Sequence, residues 1–135
     1  MLELKKQERF FVQSCPAKTI DSLGMAQALK LTFWNLSKNI SYFYPNSFFL
    51  IDGNLDFGIK NSKTIIKGDT KHKSIMAASI IAKVYRDDLM KRESVRFPEF
   101  EFESHKGYLS RRHISLIKAN DISYIHRKSF LRNYL

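Results

Sequence analysis

The sequence predicts an α/β fold, because short apolar runs typical of strands alternate along the chain with longer segments of helical periodicity. Phe48–Ile51 and Thr64–Ile66 are continuous apolar or β-branched runs bounded by turn residues, as in buried strands. Residues 22–38 and 71–93 repeat apolar side chains at three- and four-residue spacing, as in helices with one buried face. This alternation over 135 residues indicates a single α/β domain.

The first third of the chain predicts a helix, a strand and a second helix. Residues 3–9 are charged and helix-favouring, and residues 10–13 are short, apolar and β-prone. Thr19 or Asp21 would cap the helix over residues 22–38. The buried face of that helix is expected to comprise Ala26, Leu29, Phe33 and Leu36.

The second half of the chain predicts two further helices and a tail. The helix over residues 71–93 would bury Ile75, Ala78, Ala82, Tyr85 and Leu89, and Pro98 would end that region. Residues 104–108 predict a polar loop. Ser110 would then cap a helix reaching about Ala119, followed by a basic and aromatic tail.

Composition favours a soluble protein that binds a polyanion. The chain has 23 Lys and Arg against 13 Asp and Glu, a formal net charge of +10, and 44% hydrophobic residues. Proteins with such an excess of basic residues most often bind nucleic acid. Ribosomal proteins, membrane-surface proteins and ordinary solvated faces share the same charge balance. Cys15 is the only cysteine, which excludes an internal disulfide and a cysteine-based zinc site. Without a signal-like or membrane-spanning run, the protein is expected to be cytoplasmic.

Two carboxylates follow the two predicted strands. Asp52 ends the first apolar run, and Asp69 comes shortly after the second. If neighbouring strands end at one edge of a sheet, both carboxylates lie together, and a hard divalent cation would then offset their repulsion. The alternative is that Asp52-Gly53 is an ordinary turn dipeptide and that Asp69 caps the following helix.

Cationic and aromatic residues of the second half suit a nucleic-acid backbone. Ser79, Lys83 and Arg86 fall on one face of the long predicted helix at spacings of four and three. Lys106 and Tyr108 place a cation beside an aromatic ring in a loop, as in sites where nucleotides stack. The alternatives are a solvated helix face and a surface turn.

Five motifs occur together in an order that resembles ribonuclease HII, the type 2 ribonuclease H family. They are LIDGN at 50–54, IIKGDTK at 65–71, MAASIIAKVYRDDLM at 76–90, HKGY at 105–108 and IHRKSF at 125–130. The resemblance covers nearly the whole chain. It implies a ribonuclease H-like mixed sheet flanked by helices, in one domain over residues 1–135 with a C-terminal helical, basic tail.

The resemblance also implies a function and its residues. A member of this family is an endonuclease that cuts the RNA strand of RNA–DNA hybrids and ribonucleotides embedded in DNA by two-metal hydrolysis. Asp52 and Asp69 would be catalytic ligands of Mn²⁺ or Mg²⁺. The nucleic-acid contacts would be Ser79, Lys83, Arg86, Lys106 and Tyr108. The protein is expected to act as a monomer on such a duplex, away from membranes.

The sequence departs from the family at its start. The family's DEAGRG motif, with two further metal-binding carboxylates and a sensor of the ribose 2′-hydroxyl, has no counterpart here, nor does its DSKK motif. Leu109 also follows HKGY where the family usually has glycine. The first strands of the family sheet are therefore expected to be missing. The alternatives to an active enzyme are an inactive nucleic-acid-binding remnant and the product of a wrongly started reading frame.

Overall fold

A computed structural model of the chain describes residues 10–135, which are mostly helical and contain one small parallel sheet. The strands are β1 (Phe49–Asp52) and β2 (Ser62–Ile65). The α-helices are α1 (Ala17–Leu23), α2 (Met25–Phe43), α3 (Lys73–Arg96), α4 (Phe102–His105), α5 (Arg111–Asn120) and α6 (Lys128–Leu131). Single 3₁₀ turns cover Gly68–Thr70 and Pro98–Phe100. The helix expected over residues 3–9 lies outside the described residues.

The two predicted strands are neighbours, as expected. They pair in parallel, with Phe49 opposite Ser62 and Asp52 opposite Ile65, and Gly53 continues the ladder through its amide to the Ile65 carbonyl at 2.9 Å. Ile51 is the buried residue of β1. These are the only strands within residues 10–135. Because helices precede and follow this small sheet, the α/β class is confirmed. The larger ribonuclease H-like mixed sheet and the loss of its first strands stay predictions.

The prediction of a strand at residues 10–13 is wrong, because this segment has no regular secondary structure. Phe11 instead packs its ring on two aromatic residues at the end of α2. Its centroid lies 5.8 Å from that of Phe43 in a stacked arrangement and 6.3 Å from that of Tyr44 edge-on. Side-chain packing, rather than a hydrogen-bonded ladder, therefore holds this apolar segment.

The helix predicted over residues 22–38 forms as α2, but it starts at Met25, because Gly24 separates it from α1. Gly24 adopts φ 76°, a left-handed conformation that glycine reaches without strain, and α2 begins at the next residue. Asp21 does not cap this helix as expected. Its carboxylate accepts hydrogen bonds from the amides of Lys128 and Ser129, both at 2.9 Å, at the start of α6. Although burial acts to raise it, these bonds lower the pKa of Asp21.

The predicted apolar faces are only partly buried. In α2 the most buried residue is Ala28, whereas Ala26 is exposed. In α3, Ile75 is buried as expected, but Ala78 and Ala82 are exposed. Apolar side chains surround much of α3, and four of the large ones remain exposed: Met76, Ile80, Val84 and Val95. Periodicity locates an apolar face, but its burial requires a facing layer, which these positions lack within residues 10–135.

The described residues form two compact units. One comprises residues 10–15 and 23–82, and the other comprises residues 16–22 and 83–135. The expectation of a single domain over residues 1–135 stays a prediction. No helix in the described part of the chain is both long enough and apolar enough to cross a bilayer.

The second unit has an aromatic and aliphatic core. Its buried members are Met90, Phe100, Phe102, Ile117 and Leu131. The predicted basic tail contributes to this core through Leu131, so it is partly structural. The polar loop expected at residues 104–108 begins inside α4, which ends at His105. Ser110 caps α5 as predicted, since its hydroxyl accepts a hydrogen bond from the His113 amide at 3.1 Å.

Replacing Phe102 with alanine should strongly destabilise the chain. The ring is 2% exposed and lies 5.4 Å from the Phe100 ring, so its removal leaves a cavity and should lower the free energy of unfolding by about 3–5 kcal/mol. Urea denaturation followed by circular dichroism measures the change. Phe48→Ala is the control, because Phe48 is 62% exposed and its loss should cost at most about 0.5 kcal/mol. Equal losses in the two variants would contradict the assignment of the core.

Candidate active site and nucleic-acid interface

Asp52 occupies the end of β1 with its carboxylate tied to the backbone. The parallel register puts it opposite Ile65, the last residue of β2. Its Oδ1 accepts a hydrogen bond of 2.8 Å from the amide of Gly68 in the turn that follows β2. A carboxylate offers about four acceptor sites, so one amide bond fixes the group and leaves capacity for a cation.

Gly68 is required where the turn passes beside Asp52. Gly68 is buried, and a Cβ added there would lie 2.5 Å from Cδ1 of Ile75 and 3.4 Å from Oδ1 of Asp52. Its carbonyl accepts hydrogen bonds from the amides of Lys71 and His72, at 3.0 and 2.8 Å. The absence of a side chain therefore lets the backbone approach the carboxylate and lets the turn lead directly into α3.

Asp69 directly follows Gly68, so the Gly68 amide that binds Asp52 is one residue away from it. Asp69 lies in the first turn of the 3₁₀ segment and is half-buried, whereas Asp52 is exposed. Both carboxylates thus lie in the first unit, where Asp52 ends β1 and Asp69 follows β2. Across residues 10–135, no group of three or more histidine, cysteine or carboxylate side chains could hold a metal ion.

Helix α3 carries the three predicted phosphate contacts. Ser79 is exposed and belongs to the first unit, while Lys83 and Arg86 are exposed and belong to the second. The Lys83 ammonium lies 3.6 Å from the Asp87 carboxylate, and the lysine side chain is 77% exposed. A surface ion pair of this kind is weak, so a phosphate could replace the carboxylate as its partner.

The loop around Lys106 and Tyr108 is held by Arg86. The Arg86 Nη2 donates to the Lys106 carbonyl at 3.0 Å, and the guanidinium lies 5.8 Å from the centroid of the Tyr108 ring. Lys106 and Gly107 both have positive φ, at 51° and 77°. A Cβ on Gly107 would meet Sδ of Met90 at 3.3 Å, so this tight turn favours glycine. Tyr108 is 70% exposed, which leaves its ring open to a ligand.

The structure therefore brings five of the seven predicted site residues together in two groups. Asp52 lies near Asp69 in one unit, and Arg86 contacts the segment of Lys106 and Tyr108 in the other. Sequence reasoning missed the role of Gly68, which orients Asp52 through its amide. The glycine of the IIKGDTK motif was a visible signal, but its contact with Asp52 depends on strand pairing.

Comparison with known proteins identifies a family that matches this chain. The family model described as Ribonuclease HII matches residues 3–133. The chain belongs to the ribonuclease HII family. It is 40% identical over 128 residues to the ribonuclease HII of Aliarcobacter butzleri, covering 95% of this chain and 66% of that protein. It is 44% identical over 120 residues to that of Clostridium beijerinckii, covering 87% and 43%.

A third ribonuclease HII, from Chloroherpeton thalassium, is 41% identical over 135 residues and is covered to 63% of its length. The chain thus spans between 43% and 66% of the length of these three relatives. The family membership agrees with the resemblance seen in the motifs, and it does not favour an inactive remnant as the alternative.

Substituting Gly68 should disturb the turn that holds Asp52. Gly68→Ala places a methyl group 2.5 Å from Cδ1 of Ile75, so we expect a loss of about 1–3 kcal/mol in the free energy of unfolding. Ile75→Val removes that Cδ1 and should by itself cost about 0.5–1.5 kcal/mol.

A double-mutant cycle tests the proposed clash directly. Gly68→Ala combined with Ile75→Val should be more stable than the sum of the single losses predicts, by about 1 kcal/mol. Urea denaturation of the four proteins supplies the energies. Additive losses would mean that the added methyl group does not meet Ile75.

Proposed function

We propose that this chain carries part of the active site of an endonuclease that cleaves the RNA strand of RNA–DNA hybrids and ribonucleotides embedded in DNA. The observation that carries the proposal is the Asp52 carboxylate held at 2.8 Å by the amide that precedes Asp69. Membership of the ribonuclease HII family supports it. The net charge of +10 suits a nucleic-acid duplex as substrate.

The two carboxylates fit a hard divalent cation. Mg²⁺ and Mn²⁺ prefer oxygen ligands, and Mg²⁺ commonly binds through one or two carboxylates together with water and substrate phosphate. Asp52 and Asp69 would hold the ion, which supplies activation of water and stabilisation of the leaving oxygen in phosphodiester hydrolysis. The amide of Gly68 keeps the Asp52 carboxylate in place without neutralising it.

The remaining residues would bind and orient the duplex. Lys83 and Ser79 would contact backbone phosphates, with Arg86 as a further cation. Lys106 and Tyr108 would engage the strand beside the scissile bond, with the Tyr108 ring against a sugar on the DNA side of the junction. The products would carry a 5′-phosphate and a 3′-hydroxyl. We further propose that the protein acts as a monomer in the cytoplasm.

Removing the charge of Asp52 should abolish most cleavage. A DNA duplex with one ribonucleotide, incubated with Mn²⁺ or Mg²⁺, should be cut roughly 10²-fold or more slowly by Asp52→Asn and by Asp69→Asn, because each loses a charged ligand at the phosphate. Asp88→Asn is the matched control, since Asp88 is an exposed carboxylate of α3 outside the proposed site. Full activity in Asp52→Asn would exclude that residue as a ligand.

Lys83 should contribute to salt-dependent binding. Lys83→Ala should flatten the slope of log affinity against log salt for a hybrid duplex by about 0.9, the value for one lost phosphate contact. Lys118→Ala serves as the control, because Lys118 is an exposed lysine of α5 that is not among the proposed contacts. Fluorescence anisotropy between about 50 and 200 mM salt covers the useful range. The same slope in Lys83→Ala and the parent chain would remove Lys83 from the interface.

A further inference from the structure

Three of the four histidines of the chain converge in the second unit. His105 ends α4, His113 lies in α5, and His126 precedes α6. Nε2 of His113 lies 3.0 Å from Nε2 of His126, and the His105 and His113 rings stack with centroids 3.9 Å apart. His113 and His126 are both buried. We refer to these three residues as the histidine network.

The partners of His113 and His126 fix where their protons lie. Nδ1 of His113 lies 3.0 Å from the Tyr108 carbonyl, which can only accept, so this nitrogen carries the hydrogen. A neutral imidazole has one N–H, so Nε2 of His113 must accept from Nε2 of His126. Nδ1 of His126 is then an acceptor, and the Ser123 amide donates to it at 3.0 Å. Every bond is satisfied when both rings are neutral.

His105 also binds the loop that contains Gly107 and Tyr108. Its Nε2 donates to the Phe100 carbonyl at 2.7 Å, and its Nδ1 accepts from the Gly107 amide at 3.2 Å. The histidine network therefore bonds to two consecutive residues of the loop, Gly107 through its amide and Tyr108 through its carbonyl. The Tyr108 ring projects from this fixed backbone and is 70% exposed.

We propose that His113, oriented by His126, is a positioning residue that sets the backbone of Tyr108 for contact with the nucleic acid. The hydrogen bonds run in one direction, from the Ser123 amide through both imidazoles to the Tyr108 carbonyl. The contact of Tyr108 with a duplex rests on the proposed function, whereas the hydrogen-bond order does not. Two histidines that served only to fill the core would need no hydrogen bond to the loop that carries the exposed Tyr108 ring.

A proton added to either buried imidazole would break this order. A proton on Nε2 of His113 would make two N–H groups face each other across the 3.0 Å contact between the Nε2 atoms. A proton on Nδ1 of His126 would instead oppose the Ser123 amide that donates to this nitrogen. Burial lowers the pKa of His113 and lowers that of His126 to about 4, and the neighbouring histidines act in the same direction. The surrounding elements also carry charged groups, among them Arg86, Glu101 with its partner Arg112, and Arg127.

The sign of the pH dependence follows from these shifts. The native state keeps both rings neutral, whereas the unfolded chain takes up protons below the ordinary histidine pKa of 6.5. Stability from the network is therefore present above pH 6.5 and is lost as the pH falls toward about 4. Acidification should release the loop as well as weaken the core.

Tautomer assignment by NMR tests the network without any substrate. Long-range ¹H–¹⁵N correlation spectra of the histidine-labelled full chain at pH 7.5 should show hydrogen on Nδ1 of His113 and on Nε2 of His105 and His126. Neutral histidine ordinarily favours the Nε2–H form, so His113 is the informative residue. Hydrogen on Nε2 of His113, or a charged His113 at this pH, would overturn the proposal.

Variants of His113 separate positioning from packing. The amide of His113→Asn can take the place of Nδ1 as a donor to the Tyr108 carbonyl, whereas His113→Phe fills space but cannot donate. Amide hydrogen exchange at Gly107 and Tyr108 should therefore accelerate in His113→Phe and stay close to the parent rate in His113→Asn. Ile117→Ala, which opens the same core one turn further along α5, is the control for packing loss. Equal acceleration in His113→Phe and Ile117→Ala would reduce His113 to a structural role.

A double-mutant cycle on duplex binding then tests the functional part. Tyr108→Ala and His113→Phe should each weaken binding of a ribonucleotide-containing duplex by about tenfold, the scale of one lost aromatic contact with a nucleotide. Tyr108→Ala in the His113→Phe background should add little, because both changes remove the same contact. Additive losses would overturn positioning through Tyr108. If Tyr108→Ala alone leaves affinity unchanged, the proposed duplex contact fails, and the NMR result still decides the network.

Discussion

The parallel pairing of β1 with β2 is the constraint on which the candidate carboxylate site depends. This register ends both strands at one edge and places Asp52 opposite Ile65. Only then can the turn after β2 return its Gly68 amide to the Asp52 carboxylate. A slip of one residue would turn Asp52 to the other face of the sheet and remove that bond. The sheet is small, but it determines which backbone amide the carboxylate meets.

The second unit orders its functional loop by a different means. Its core is aromatic, and two buried imidazoles replace the apolar groups that would ordinarily fill such space. Burying a polar ring is unfavourable unless each nitrogen finds a partner, and here each nitrogen of His113 and His126 has one. The cost of burial is offset by hydrogen bonds that end on the backbone of the exposed Tyr108. Core and loop are therefore coupled.

The sequence was most informative where local chemistry decides the structure. It predicted β1, β2, the long helix α3 and the Ser110 cap, since each rests on a short pattern. The sequence did not predict contacts between residues that are far apart along the chain. Asp21 was expected to cap a nearby helix, yet its carboxylate binds amides more than 100 residues away, and no local pattern reports that contact. The exposed Ala78 shows the same limit, because burial depends on what faces a helix.

The candidate site shows the same division between residue type and arrangement. Asp52 and Asp69 were found from their positions after apolar runs, and the motifs singled out Lys106 and Tyr108. What the motifs do not reveal is how the chain keeps these side chains in place. In both groups a backbone amide or carbonyl meets a polar side chain from another element: Gly68 with Asp52, and Tyr108 with His113. Such bonds orient a side chain or loop without adding an opposing charge, which leaves carboxylates and cations available to metal ions and phosphates.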